Sequence, residues 1–142
     1  MKQRIPLVVV AGPTASGKTD MAIHLAKIFD GEIINADSMQ VYKELNIGSA
    51  KPSMEERQGV PHHMMDVVSV TNEYTVSQYE RQATKAIKDV YNSGKLSIIC
   101  GGTGLYIRSL LYRMSFSNAI SDETIRRELT EYVNKKIGRA HV

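Results

Sequence analysis

Eight residues near the start of the chain carry the clearest chemistry: Gly12-Pro13-Thr14-Ala15-Ser16-Gly17-Lys18-Thr19. They fit the spacing G-x-x-x-x-G-K-[ST], a loop that cradles phosphate groups between a strand and a helix. Gly12 and Gly17 permit a tight turn and a close approach of backbone to ligand. The loop amides and the helix N-terminus behind them then face an anion. Lys18 adds a full positive charge. The Thr19 hydroxyl is the kind of ligand magnesium takes when it accompanies a diphosphate or triphosphate. A chance match in a glycine-rich turn is disfavoured, because an apolar run (Ile5 to Ala11) precedes the loop and a helical pattern follows it. The loop implies a phosphorylated ligand without saying which one.

Other candidates are placed relative to that loop. Asp37 follows the apolar stretch Glu32 to Ala36. In open α/β sheets ligands lie beyond the carboxyl ends of the strands, so Asp37 is expected in the same crevice as the phosphate loop. A carboxylate there can hold magnesium through water, act as a general base or cap the turn that follows. Asp66 ends a weaker apolar run and is the other candidate for magnesium. Gly101-Gly102-Thr103-Gly104 is a second glycine turn between a strand and a helix. Thr103 can offer its hydroxyl to the crevice and also cap that helix. His62 and His63 are adjacent and face opposite ways in an extended segment. With a single cysteine, Cys100, nothing supports a zinc site. The two histidines are read as structural, Met64 and Met65 as core, and Cys100 as a small buried hydrophobe.

The elements that must position these residues follow from patterning. Ile5 to Ala11 is continuous, apolar and rich in valine, as a buried parallel strand is. The helix after the loop puts Ala22, Leu25, Ala26 and Phe29 on one face, and Asp30-Gly31 is expected to end it. Glu32 to Ala36 reads as a second strand, Pro61 to Asp66 as a short third and Leu96 to Cys100 as a further one. Met54 to Gln58 reads as a helical turn. Thr75-Val76-Ser77-Gln78 has the spacing of a capping box, and its helix carries Val76, Tyr79, Ala83, Ile87 and Val90 on one face until Gly94. A helix begins near Leu105, and a last one, capped by Ser121, carries Ile125, Leu129, Tyr132, Val133 and Ile137. Strands alternating with helices imply an α/β fold, a P-loop NTPase-like parallel sheet flanked by helices.

The chain has 142 residues, 42% hydrophobic and 23% charged, enough for one domain with a core. No apolar run approaches a membrane span. The net charge of +3 is unevenly placed: residues 1–100 are balanced, and the excess comes from Arg108, Arg113, Arg126, Arg127, Lys135, Lys136 and Arg139. That suits an anionic partner such as nucleic acid, although on charge alone a solvated helix surface is the favoured reading.

Five stretches occur in order: GPTASGKT (Gly12 to Thr19), DSMQVY (Asp37 to Tyr42), GSAKP (Gly48 to Pro52), PHH with Asp66 (Pro61 to Asp66), and GGTGLY (Gly101 to Tyr106). Together they resemble the tRNA dimethylallyltransferases, also called tRNA isopentenyltransferases, in their bacterial form. The resemblance implies transfer of a dimethylallyl group from dimethylallyl diphosphate to N6 of the adenine 3′ of the anticodon. It implies that the phosphate loop, with Lys18 and magnesium near Thr19, holds the diphosphate. It implies that Asp37 accepts a hydrogen bond from N6 and takes its proton, and that Ser38, Met39 and Gln40 line a slot for the flipped adenine. Thr103 would contact the reacting nucleotide, and Arg126 the tRNA. The implied partners are dimethylallyl diphosphate and the tRNA anticodon arm, with Mg2+ as cofactor, in the cytoplasm and away from membranes. Family members are much longer, so residues 1–120 are expected to form the catalytic core and residues 121–142 the truncated start of a helical tRNA-binding insertion. Two other readings stay open: a small-molecule or nucleotide kinase, which should show an arginine-rich lid, and a non-catalytic fragment that binds phosphate and RNA.

Overall fold

The computed structural model describes residues 5–13, 17–45, 50–113 and 127. Four parallel strands, β1 (Leu7–Ala11), β2 (Gly31–Asn35), β3 (His62–His63) and β4 (Leu96–Gly101), lie in the order β1-β4-β2-β3. Helix α1 (Lys18–Phe29) links β1 to β2, α2 (Val76–Asn92) leads into β4, and α3 (Gly104–Arg113) follows it. The fold is the expected α/β class, a P-loop NTPase-like parallel sheet flanked by helices.

The strands are apolar on both faces because both faces are covered. Val8, Val10, Ile33, Ile98 and Cys100 pack with Ala22, Ile23, Leu25 and Ala26 of α1. Leu7, Ile34 and Ile99, one residue out of phase, pack with Tyr79, Ala83, Ile87 and Val90 of α2 and with Tyr106 and Leu110 of α3. The period of two along each strand therefore sorts the core into two halves. Helix α2 begins with the predicted capping box. The Gln78 N–H donates to the Thr75 hydroxyl (3.1 Å) and the Thr75 N–H donates to the Gln78 side chain (2.8 Å). Its buried face carries the predicted stripe, with Val76 half-buried at its start and Thr84 added to it. Residues 53–60 form hydrogen-bonded turns, including the expected one over Met54 to Gln58.

Several boundaries differ from expectation. Asp30 itself takes the left-handed position that ends α1, at φ 53°, and returns its N–H to Ala26. Gly31 is thereby freed to open β2, where a Cβ would lie 2.8 Å from the Leu96 carbonyl. The third strand shrinks to His62–His63, since Met64 and Asp66 both adopt positive φ (67° and 56°) and turn the chain out of the ladder. In α1 the buried face includes Ile23, while Phe29 is only half-buried. The last expected helix, after Ser121, lies outside the described residues apart from Arg127, which is exposed.

Candidate active site

All the described candidates except Asp66 gather at the carboxyl ends of β1, β2 and β4. Gly17, at φ 84°, is the left-handed residue before α1. Behind it the Lys18 ammonium donates to the Pro13 carbonyl (3.2 Å), folding back over its own loop. The two glycine turns touch: the Gly12 N–H approaches the Gly101 carbonyl (3.4 Å), and a Cβ on Gly102 would meet the Gly12 oxygen at 2.8 Å. Thr14, Ala15 and Ser16 lie outside the described residues, as does Arg126.

A crevice runs from the phosphate loop across the strand ends. It is lined by Lys18 and Thr19 on one side and by Asp37, Gln40 and His62 on the other, with Cys100 and Gly101 in its floor. Burial, the largest influence, pushes the Cys100 thiol up to about 11, so it stays protonated, and it donates weakly to the Lys18 carbonyl (3.7 Å). It is the buried hydrophobe expected, not a nucleophile. No group of three or more His, Cys, Asp or Glu suited to a metal exists among the described residues. Thr19 with one carboxylate across the crevice fits magnesium, which keeps several waters and takes its remaining ligands from substrate phosphates.

Asp37 sits just past β2 and is held on three sides. Its Oδ1 accepts the N–H groups of Met39 (2.8 Å) and Gln40 (3.3 Å), so it caps its own turn. Its carbonyl accepts from the buried Asn35 amide (3.3 Å), which also reaches the Met64 carbonyl (2.9 Å). The Asn35 carbonyl in turn accepts the Tyr79 hydroxyl at 2.6 Å, and Tyr79 stacks on Tyr106 with ring centres 3.9 Å apart. Capping and chemistry are compatible here, since the amide bonds fix the carboxylate in place. Among the described residues no hydrogen bond engages its Oδ2.

Thr103 occupies the residue before α3, yet its hydroxyl does not cap that helix. It accepts the Ser38 N–H (2.8 Å) and lies 3.3 Å from the Ser38 hydroxyl, while the Thr103 N–H donates to the Ala36 carbonyl (3.0 Å). Thr103 therefore fastens the second glycine turn to the Asp37 segment. Within that segment Met39 is 50% exposed and Gln40 is buried.

The structure refines three readings of the sequence. Asp66 does not line the crevice; its carboxylate lies 2.5 Å from the Lys51 ammonium, which removes it as a magnesium candidate. His62 lies at the crevice. Its Nδ1 is 2.8 Å from the Val60 carbonyl, and the ring borders the crevice, whereas His63 turns to Glu32 (2.7 Å). Met64 is core, but Met65 borders the crevice. The sequence reading missed Asn35, although an asparagine inside an apolar strand is a signal, because a buried amide must be bonded to something.

A family model described as IPP transferase matches residues 40–141. The chain belongs to the IPP transferase family. Relatives agree: it is 50% identical over 130 residues to a tRNA dimethylallyltransferase of Thermoanaerobacter sp. (strain X514), covering 92% of this chain and 41% of the relative. It is 51% identical over 130 residues to tRNA dimethylallyltransferase 2 of Geotalea uraniireducens, covering 92% of this chain and 42% of the relative. The full-length tRNA isopentenylpyrophosphate transferase of Bacillus halodurans superposes with a TM-score of 0.76 at 39% identity, over 93% of this chain and 44% of that one. A eukaryotic dimethylallyltransferase acting on tRNA superposes with a TM-score of 0.73 at 33% identity, over 94% of this chain and 36% of that one. The chain spans about two-fifths of the length of the curated relatives it matches. No helix among the described residues of this IPP transferase family member is long and apolar enough to cross a membrane.

Proposed function

We propose that this chain forms the diphosphate- and adenine-binding part of an enzyme that transfers a dimethylallyl group from dimethylallyl diphosphate to N6 of the adenine 3′ of the anticodon in tRNA. The observation that carries the reading is one crevice bordered by the Lys18–Thr19 end of a phosphate loop and by Asp37, a carboxylate pinned by two amides. The names of the curated relatives and solved neighbours support the same substrates.

The chemistry follows from the placement. As the bond from the allylic carbon to oxygen breaks, negative charge grows on the departing diphosphate. Lys18 leaves the Pro13 carbonyl for that charge, and the amides at the N-terminus of α1 donate to it. Thr19 would hold Mg2+, which would supply further charge neutralisation. The adenine amine attacks the same carbon, forming the new C–N bond. It is not basic and must lose a proton, which passes to Asp37. Diphosphate and N6-alkylated adenine are the products. Ser38, Met39 and Gln40 border the extruded base, since enzymes that act on a base take it from the stack. Thr103 keeps that border in register with the phosphate loop and contacts the reacting nucleotide. Residues 1–120 act as the catalytic core. Residues 121–142 begin a helical tRNA-binding insertion, with Arg126 on the RNA, and the protein works in the cytoplasm.

The test is transfer of labelled dimethylallyl from its diphosphate to an unmodified anticodon stem-loop, with magnesium. Label on the RNA that disappears with Asp37→Ala is the expected result. Preferential binding of ATP over dimethylallyl diphosphate, with phosphate passed to a small acceptor, would overturn the reading in favour of a kinase.

A further inference from the structure

Two stretches that carry the family resemblance have no part in that mechanism: Gly48 to Pro52 and Pro61 to Asp66. The structure joins them through one buried cation. The Lys51 side chain is only 5% exposed, and its ammonium meets the Tyr42 carbonyl and, at 2.5 Å, the Asp66 carboxylate. A lysine at that depth is held by internal partners, since an unpaired buried charge is strongly unfavourable. In a chain with a net positive charge and a phosphate loop, Lys51 would be read from sequence as one more cation for an anionic ligand. Its partners say otherwise.

Tyr42 closes the turn that begins at Asp37, its N–H donating to the Met39 carbonyl (3.3 Å). Asp66 approaches the same turn from the other side, its N–H donating to the Gln40 carbonyl (3.2 Å). Val67 and Val68 both donate to the Val41 carbonyl (2.8 and 3.2 Å), and Lys43 donates to Val68 (3.0 Å). Yet residues 64–66 are not a strand, since Met64 and Asp66 hold left-handed backbone conformations that aspartate and methionine adopt at a cost. Besides these backbone bonds, the Asp66 side chain is held by the Lys51 ammonium.

We propose that Lys51 is a positioning residue for adenine recognition: its ammonium clamps the Tyr42 carbonyl to the Asp66 carboxylate and so sets Asp37 to Gln40 at the crevice. The adenine half of the statement rests on the proposed function; the clamp itself rests on the contacts alone.

Amide hydrogen exchange on the 142-residue chain, followed by NMR, reads the clamp directly. In Lys51→Met the amides of Met39 and Gln40, which bond the Asp37 carboxylate, exchange at least about tenfold faster, while those of Ile98 and Ile99 in β4 keep their rates. Affinity for pyrophosphate stays within about twofold, because the phosphate loop is not part of the clamp. Asp66→Asn, which retains the backbone bond to Gln40, shifts the same two amides in the same direction and decides the matter should Lys51→Met loosen β4 as well. Unchanged Met39 and Gln40 exchange in Asp66→Asn, or pyrophosphate affinity falling in step with that exchange, would overturn the clamp. The adenine half is read by comparing an anticodon stem-loop carrying adenine with one carrying a purine without the exocyclic amine. Wild type prefers adenine by about tenfold or more, and Lys51→Met and Asp66→Asn reduce that preference while leaving pyrophosphate affinity unchanged. A wild-type chain with no preference would overturn the adenine half and the proposed base contact together, with the exchange result still standing for the clamp.

Discussion

The two sides of the crevice are built in different ways. The phosphate-loop side is local: Gly12, Gly17, Lys18 and Thr19 are neighbours in sequence, and Lys18 rests on Pro13, five residues away. The Asp37 side is assembled from a distance. The Asn35 amide that holds its carbonyl is itself tied to Met64, twenty-nine residues on; its next amide is held by Thr103, sixty-five residues on, and its far end by Lys51 and Asp66. Under the proposed function, the difference matches what each side would recognise. A diphosphate is a compact anion that backbone amides and one mobile ammonium can follow as charge develops. An amine on a planar base has to meet one carboxylate oxygen in one orientation, so that oxygen must be fixed before the substrate arrives.

Substitutions can break or sharpen this contrast. The largest effect is expected at Gly101, where both sides meet. A Cβ there would lie 2.3 Å from the Ala36 carbonyl carbon and oxygen. Ala36 precedes Asp37, and the Gly101 carbonyl faces Gly12, so neither backbone can yield without moving one wall of the crevice. Gly101→Ala should lose about 3 kcal/mol in denaturant unfolding, at the upper end for overpacking. Tyr79→Phe comes next. It leaves the Asn35 carbonyl buried without its 2.6 Å partner, and about 2 kcal/mol should be lost, measured the same way. Gly17→Ala touches only the local side. Among the described residues, apart from its chain neighbours, no atom lies within 4 Å of the new Cβ, so the left-handed backbone opposes it, at about 1 kcal/mol. A loss at Gly17 equal to that at Gly101 would erase the distinction between a local and an assembled wall.

The smallest expected effect concerns pH. Burial, reinforced by the nearby Arg57 and His63, lowers the His62 pKa from its usual 6.5. The folded chain thus resists a proton that the unfolded chain accepts. The stability associated with neutral His62 is complete above pH 6.5 and is lost as pH falls from there toward the depressed folded value. Stability measured from pH 7.5 downward should decline less steeply in His62→Gln than in wild type. Parallel curves would show that His62 titrates alike in both states.

How much of this was legible in the sequence follows the same division. The loop motif, the capping box at Thr75 and Gln78, and the alternation of strands and helices are short-range patterns, and each appears where the residues placed it. The family resemblance extended to stretches whose physics the pattern left unexplained. GSAKP was visible as a motif, but nothing within five residues of Lys51 reveals that its ammonium is spent on Tyr42 and Asp66. Asp66 was taken for a metal carboxylate because it follows an apolar run; the left-handed turns at Met64 and Asp66 carry it away from the crevice. His62 was read as structural because paired histidines offer no metal geometry, whereas its place beside Ile33 in the parallel register brings it to the crevice wall. Long-range pairing, absent from any local window, decided each of these.

The central claim is that the phosphate loop holds the leaving group while Asp37 acts on the base. Titration of dimethylallyl diphosphate, with magnesium, into Lys18→Ala and Asp37→Ala side by side tests it most directly. The account predicts at least about a tenfold loss of affinity in Lys18→Ala, the worth of one charge-assisted bond, and no more than about a twofold change in Asp37→Ala. An Asp37→Ala loss as large as that of Lys18→Ala would contradict it, placing Asp37 on the diphosphate and not on the adenine.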